Sequence, residues 1–159
     1  MYCSNVDSES GGLNNCQFES LEMGSGNVEP RGPRQMIINN GYAYFADSGS
    51  HGGGTLQLQS AYTLCSVSPV DGRLSACSTQ QTYPGELNSP TGIAVNGSYI
   101  YITNEIGPAG ESTGYSYTMC NIGESGFLIN CNNLIPQGIV NPTTAGTYLT
   151  YIAFSTTNS

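Results

Sequence analysis

Lysine and tryptophan are both absent from this chain of 159 residues, and histidine occurs once. The three cations, Arg31, Arg34 and Arg73, stand against eleven carboxylates, for a formal net charge of -8. With no basic patch there is nothing to neutralise a phosphate backbone, so nucleic-acid binding is excluded. Attraction to anionic membrane surfaces is excluded on the same ground. No apolar run approaches the ~20 residues that span a bilayer as a helix, so no membrane insertion is expected. No segment carries a helical apolar stripe. Met1 to Asp7 have no basic region and no apolar core. The expectation is therefore that a leader has been removed, or that the chain is a piece of a longer polypeptide.

What is present points outside the cell. Gly, Ser, Thr and Asn are abundant, and a surface solvated by hydroxyls and amides suits an extracellular protein. Clusters of Tyr and Ile argue against a disordered linker. Six cysteines suit an oxidising compartment.

The cysteines belong to a repeat. One unit reads Tyr62-Thr63-Leu64-Cys65-Ser66-Val67, a turn around Pro69-Val70-Asp71-Gly72, then Leu74-Ser75-Ala76-Cys77. It returns as Tyr117-Thr118-Met119-Cys120-Asn121-Ile122, a turn at Ser125-Gly126, then Leu128-Ile129-Asn130-Cys131. It also opens the chain, as Cys3, Val6, Gly12-Leu13 and Cys16. A second unit runs from Pro33 to Asp47 and, ungapped, from Pro90 to Asn104. Repetition every ~50 to 60 residues means one supersecondary unit stacked several times, each burying its faces against neighbours.

The periodicity is that of strands. Tyr99, Tyr101 and Thr103 alternate with Ile100, Ile102 and Asn104. Asn40-Gly41 and Asn96-Gly97 lie between two such runs, and Asn-Gly favours a two-residue hairpin turn. Residues 36–39 should pair with 42–46, and 92–96 with 99–103. The cysteine units read as hairpins as well. One hairpin of each kind makes a four-stranded antiparallel sheet, the unit of a β-propeller blade.

At Pro90-x-Gly92-Ile93-Ala94-Val95 and Tyr99-Ile100-Tyr101-Ile102-Thr103-Asn104 the chain resembles the bacterial YVTN and NHL-type β-propeller repeats. Tyr44-Phe45-Ala46-Asp47-Ser48-Gly49 is similar to the second strand and following turn of an NHL repeat. The likeness covers most of residues 33–131 and implies an all-β propeller-type fold. It is nearly silent on function, because one fold hosts many activities. The cysteine hairpins and the Gly-rich inserts at 48–60 and 105–116 depart from the pattern.

The whole chain is read as one repeat domain, with a partial unit at 1–32, full units at 33–89 and 90–141, and a partial unit at 142–159. In the last, Tyr151-Ile152-Ala153-Phe154 are placed like Tyr99 to Ile102. This is about three blade equivalents, where closed propellers have about 4 to 8. The terminal half-blades, a cysteine hairpin and a first-type hairpin, are expected to pair between copies.

Each candidate for chemistry has a structural alternative. Cys3/Cys16, Cys65/Cys77 and Cys120/Cys131 are read as three hairpin disulfides, because the repeat selects local pairs. Free buried thiols and zinc are the rival readings; for zinc there is no CxxC pair and His51 is alone, so no metal is assigned. His51, with Asp47 as its orienter, would make a general base, but nothing marks a nucleophile. Asp47 and Asn104-Glu105 sit where calcium ligands could converge, but no alternating Asp/Asn loop is present, and solvated loop acids are the preferred reading. Asn96-Gly97-Ser98 is an N-glycosylation acceptor, against a role in the turn alone. Tyr42, Tyr44, Tyr99 and Tyr101 are read as packing residues rather than as a carbohydrate-stacking surface.

The sequence thus predicts an extracellular or cell-surface structural or binding module. It needs no cofactor, self-associates through its terminal half-blades, and has a glycan or a protein as candidate ligand. The alternatives are a subunit of a surface filament, a propeller lyase or hydrolase, and a fragment of a larger propeller.

Overall fold

A computed structural model describes residues 2–6, 13–17, 33–47, 61–81, 87, 89–104, 116–136 and 152–154. All the regular structure among them is β. Strands β1 (Tyr2–Val6) and β2 (Leu13–Gln17) form a two-stranded antiparallel ladder. Strands β3 (Pro33–Asn39), β4 (Tyr42–Asp47), β5 (Ala61–Val67) and β6 (Leu74–Gln81) form a four-stranded antiparallel sheet in chain order. Strands β7 (Pro90–Asn96), β8 (Tyr99–Asn104), β9 (Ser116–Ile122) and β10 (Leu128–Leu134) form a second sheet of the same order. The second Gly-rich insert therefore ends before Ser116, which is already strand. Among the described residues the sheets do not close into a ring.

The repeat extends to backbone detail. The β3–β4 and β7–β8 ladders both shift register at their first residues, between Pro33 and Gln35 and between Pro90 and Gly92. The Val67 N–H donates to the Gly41 carbonyl at 2.8 Å, and the Ile122 N–H to the Ser98 carbonyl at 3.0 Å. The β5–β6 and β9–β10 hairpins each hold a bulge, in which one extra residue on the second strand, Ala76 or Asn130, adopts a positive φ (48° and 51°) just before its cysteine, whereas the β1–β2 ladder runs through Cys3 and Cys16 without a shift. A left-handed residue is the device by which such bulges bend and twist a ladder.

One turn differs from expectation. Asn40 and Gly41 both have positive φ (48° and 78°) between the paired Asn39 and Tyr42, the pattern of a type I′ turn. In the second sheet the loop is Gly97-Ser98, with positive φ on Gly97 alone (60°), the pattern of a type II′ turn. Asn96 is therefore not a turn residue. It ends β7, opposite Tyr99. The two Asn-Gly pairs are offset by one position in the repeat, so they supply different turns.

The sheets stack front to back. Ala43 pairs with Cys65, so Ala43, Phe45 and the Cys65–Cys77 bridge share one face of the first sheet, with Val67 and Leu74. Tyr42, Tyr44, Tyr62, Leu64 and Ile37 lie on its other face. In the second sheet Ile100 pairs with Cys120, so the bridge side carries Ile100, Ile102, Ile122 and Leu128. The main core joins the tyrosine face of the first sheet to the disulfide face of the second. Two equivalent faces do not meet, as they would in a symmetric sandwich. Period-2 alternation decides which residues share each face once one register is set, and the packing joins unlike faces. Beyond strand pairing, β7 packs against both strands of the β3–β4 hairpin.

Candidate functional site

The contact between the sheets is the most specific feature of the chain. Gly126, in the β9–β10 turn, has φ +78°, and a Cβ placed there would lie 2.8 Å from Tyr42 Cγ. The turn thus receives the Tyr42 ring against bare backbone, which only glycine permits. Beside it the Leu128 N–H donates to Tyr62 Oη at 2.9 Å. At the other side of the stack, the Ile93 N–H donates to Gln35 Oε1 at 2.9 Å. These polar contacts fix the lateral position of two faces that apolar burial alone would let slide, since hydrophobic contact has no direction.

Burial shapes the tyrosines. Tyr44 is fully buried, and its Oη has no hydrogen-bond partner. Desolvation first, then the neighbouring Tyr62 and Tyr42, raise its pKa to about 12. The Tyr62 pKa is also raised by desolvation, against a lowering by its bond from Leu128. Both are held neutral, as packing residues should be.

The equivalents in the second sheet are more open. Tyr99, in the place of Tyr42, is 38% exposed, and Tyr101 and Tyr117 are half-buried. They form a ring row, with centroids 6.5 Å apart for Tyr99–Tyr101 and 6.1 Å for Tyr101–Tyr117. Phe154 lies edge-on to Tyr101 at 4.8 Å. Residues 152–154 have no strand pairing. The disulfide face of the first sheet is open at one end, where Met36 is 45% and Ile38 54% exposed. Their equivalents in the second sheet, Ile93 and Val95, pack into the core. Gly72, equivalent to Gly126, has nothing within 4 Å of an added Cβ.

The other sequence-derived candidates fall as follows. Cys65–Cys77 and Cys120–Cys131 are bridged, a state that persists in oxidising compartments. The β1–β2 register sets Cys3 opposite Cys16, while that bridge lies outside the described residues. Asn96 is exposed at the end of β7, compatible with an acceptor role. His51 and Glu105 lie outside the described residues, as does the 143–155 hairpin apart from 152–154.

Asp47 is a correction. It is not a solvated loop acid but is 3% exposed at the end of β4, paired with Ala61. Asn104 is fully buried and donates to Ser116 Oγ at 3.3 Å and Thr118 Oγ1 at 3.0 Å. Strand-end polarity was legible in the sequence. Its burial was not, because it comes from the next strand and from the stacking. Among the described residues no group of three His, Cys, Asp or Glu is placed to hold a metal, and no helix is long and apolar enough to cross a membrane.

Tyr42 and Tyr44 pack as expected, Tyr101 is half-buried against Tyr117 and Phe154, and Tyr99 is exposed. Sequence reasoning missed the pairing of ring and glycine, although Gly72-x-Leu74 and Gly126-x-Leu128 carry its signal. No family model, curated protein or solved structure matches the chain.

Proposed function

We propose that the chain is an extracellular, disulfide-stapled structural and binding module of β-propeller type, whose sheets are blades and whose terminal half-blades join it to further copies of itself. The front-to-back stack carries this reading. A stack of two such sheets ends in two different faces, each bearing the residues that its equivalent buries inside. Exposed apolar surface of that kind marks an interaction site. A two-fold contact between like faces would satisfy only one of them, whereas a head-to-tail contact satisfies both and generates a ring or an open filament. Binding is the role this reading favours, because among the described residues the open faces offer rings and apolar side chains.

Sedimentation and light scattering of the oxidised chain test it. Association should rise with concentration, and deletion of residues 143–159 should abolish it. A folded monomer at high concentration whose mass class the deletion leaves unchanged refutes the reading. Negative-stain imaging then separates a closed ring from the filament that a slightly different rotation would produce.

A further inference from the structure

We infer that Gly72 and Tyr99 are the two halves of a joint between copies, in which the β5–β6 turn of one chain receives the Tyr99 ring of another. This rests on the head-to-tail self-association proposed above and names its contact. Within the chain the joint already exists once. The β9–β10 hairpin sits on the first sheet at two points, the Tyr42 ring against Gly126 and Tyr62 Oη accepting from the Leu128 N–H.

Both halves of that joint are repeated in the same register. Tyr42 pairs with Asn39 and Ser66 as Tyr99 pairs with Asn96 and Asn121. Tyr62 pairs with Ala46 as Tyr117 pairs with Thr103. Leu74 pairs with Val67 as Leu128 pairs with Ile122, and the same bulge follows. The β5–β6 turn is longer by one residue, yet its glycine keeps its place. The Gly72 N–H donates to the Ser68 carbonyl at 2.9 Å, in a turn closed by the Ser68 N–H on the Arg73 carbonyl. The Gly126 N–H donates to the Gly123 carbonyl at 3.0 Å, in a turn closed by the Gly123 N–H on the Phe127 carbonyl. The two φ values, 72° and 78°, agree.

Inside the chain these second halves are unused. An added Cβ on Gly72 meets nothing within 4 Å, and Tyr99 is 38% exposed. Gly72 belongs to the sheet whose disulfide face points out of the two-sheet stack, and Tyr99 to the outward tyrosine face of the other. One chain cannot bring them together, and a second copy can. Apolar surface lies beside the socket. The Val67–Gly41 bond sets the β5–β6 turn next to the β3–β4 turn, and Ile38, close to that turn, is 54% exposed. Its equivalent in the second sheet, Val95, packs against the main core.

In the docked pair the Tyr99 ring lies against Gly72, and Tyr117 Oη accepts from the Leu74 N–H. Phe154, already edge-on to Tyr101, takes part as well. The docking face has Ala43 where the second sheet has Ile100, which shares its core with Tyr44, the equivalent of Tyr101. The smaller side chain leaves room there for the Phe154 ring. One anchor is missing, because Gly92 stands where Gln35 donates its carbonyl oxygen to the Ile93 N–H. The contact between copies is therefore weaker than the one within the chain, and reversible. It is heterologous, so each copy gives one ring and receives another.

The test uses the oxidised full chain as wild type, Gly72→Ala and Tyr99→Ala in sedimentation velocity, with far-UV circular dichroism and melting as fold controls. Wild type should associate, and each variant should lose about tenfold or more in association constant. An equimolar mixture of the two variants should form a one-to-one complex, because one keeps the ring and the other keeps the socket. If Gly72→Ala fails to fold, Ile38→Asp replaces it, placing a carboxylate in the contact from a position exposed in the single chain. If Tyr99→Ala fails to fold, Tyr117→Phe replaces it and should weaken association by about fivefold, the worth of a neutral hydrogen bond. If wild type associates and the folded variants match it, or if the mixture gives no complex, this contact is overturned while self-association stands. If wild type is monomeric at every concentration, both fall.

Discussion

Replacing Gly126 by alanine and, separately, Gly72 by alanine isolates the sheet-to-sheet contact from local backbone cost. The two glycines are equivalent in the repeat, and both have positive φ (78° and 72°). Each substitution therefore forces an L-residue into the left-handed region, at about 1 kcal/mol. At Gly72 nothing lies within 4 Å of the new methyl group, so the cost should end there. At Gly126 the methyl meets Tyr42 Cγ, Cδ2 and Cδ1 at 2.8, 2.9 and 3.0 Å. Those atoms are the root of the ring, close to its own backbone, so the ring cannot swing aside. The second sheet must instead move off the first, straining the Leu128–Tyr62 bond beside it. Overpacking of this kind costs about 1–3 kcal/mol more. Urea unfolding of the oxidised chain, at a concentration where all variants share one mass, should show Gly72→Ala about 1 kcal/mol less stable than wild type and Gly126→Ala about 2–4 kcal/mol less stable. Adding Tyr42→Ala to Gly126→Ala should remove the excess, a coupling that a double-mutant cycle reads. Equal loss at the two glycines, or no coupling to Tyr42, would refute the front-to-back stack at its most specific point.

Three further outcomes follow from the same geometry. Tyr44 keeps its proton in the folded chain to about pH 12, whereas an unfolded tyrosine loses it near pH 10. Its contribution to stability is complete below about pH 10 and lost as pH rises toward 12, so Tyr44→Phe should flatten the alkaline limb of a stability–pH profile, and an unchanged limb would dismiss Tyr44 as its source. Ala76 holds a positive φ that alanine tolerates poorly, so Ala76→Gly should stabilise by about 0.5–1 kcal/mol, while Asn130→Gly should change little because asparagine suits that region; chemical denaturation compares the two. Asn104→Ala removes the donor to Ser116 and Thr118 and should cost about 1–3 kcal/mol, since buried hydroxyls lose a partner, against near-neutrality if water replaces it.

Most of the strand pattern was legible because it depends on local chemistry. Alternation at Tyr99–Asn104 predicted a strand there and found it, and the hairpins 36–46 and 92–103 came from the same signal. The cysteine spacing was legible because two copies agree, and the one-residue difference between Cys65–Cys77 and Cys120–Cys131 sits in the turns. What could not be read were quantities that depend on a neighbour. The fate of Asp47 is an example, because a strand-end acid is solvated or buried according to what stacks over it. The half-burial of Tyr101 beside the full burial of Tyr44 is another, since the two residues are equivalent in the repeat and face the same way in their own sheets. They differ because, among the described residues, only the first sheet has another sheet on that face. Asn96-Gly97 was misplaced for a local reason, as Gly97-Ser98 also satisfies a two-residue turn and keeps the register of β7 against β8.

The front-to-back stacking has a consequence for inheritance. Every sheet in such a stack meets a disulfide face with its tyrosine face and a tyrosine face with its disulfide face, whichever copy supplies them. Duplicating one unit, or losing one, leaves both ends of the chain chemically as they were, so unequal exchange between repeats changes length without creating a junction that must be redesigned. A substitution inside the shared contact has the opposite character. A change at the Tyr42 position works only where the next turn still carries glycine, so ring and socket are expected to drift together across copies while the number of copies varies freely.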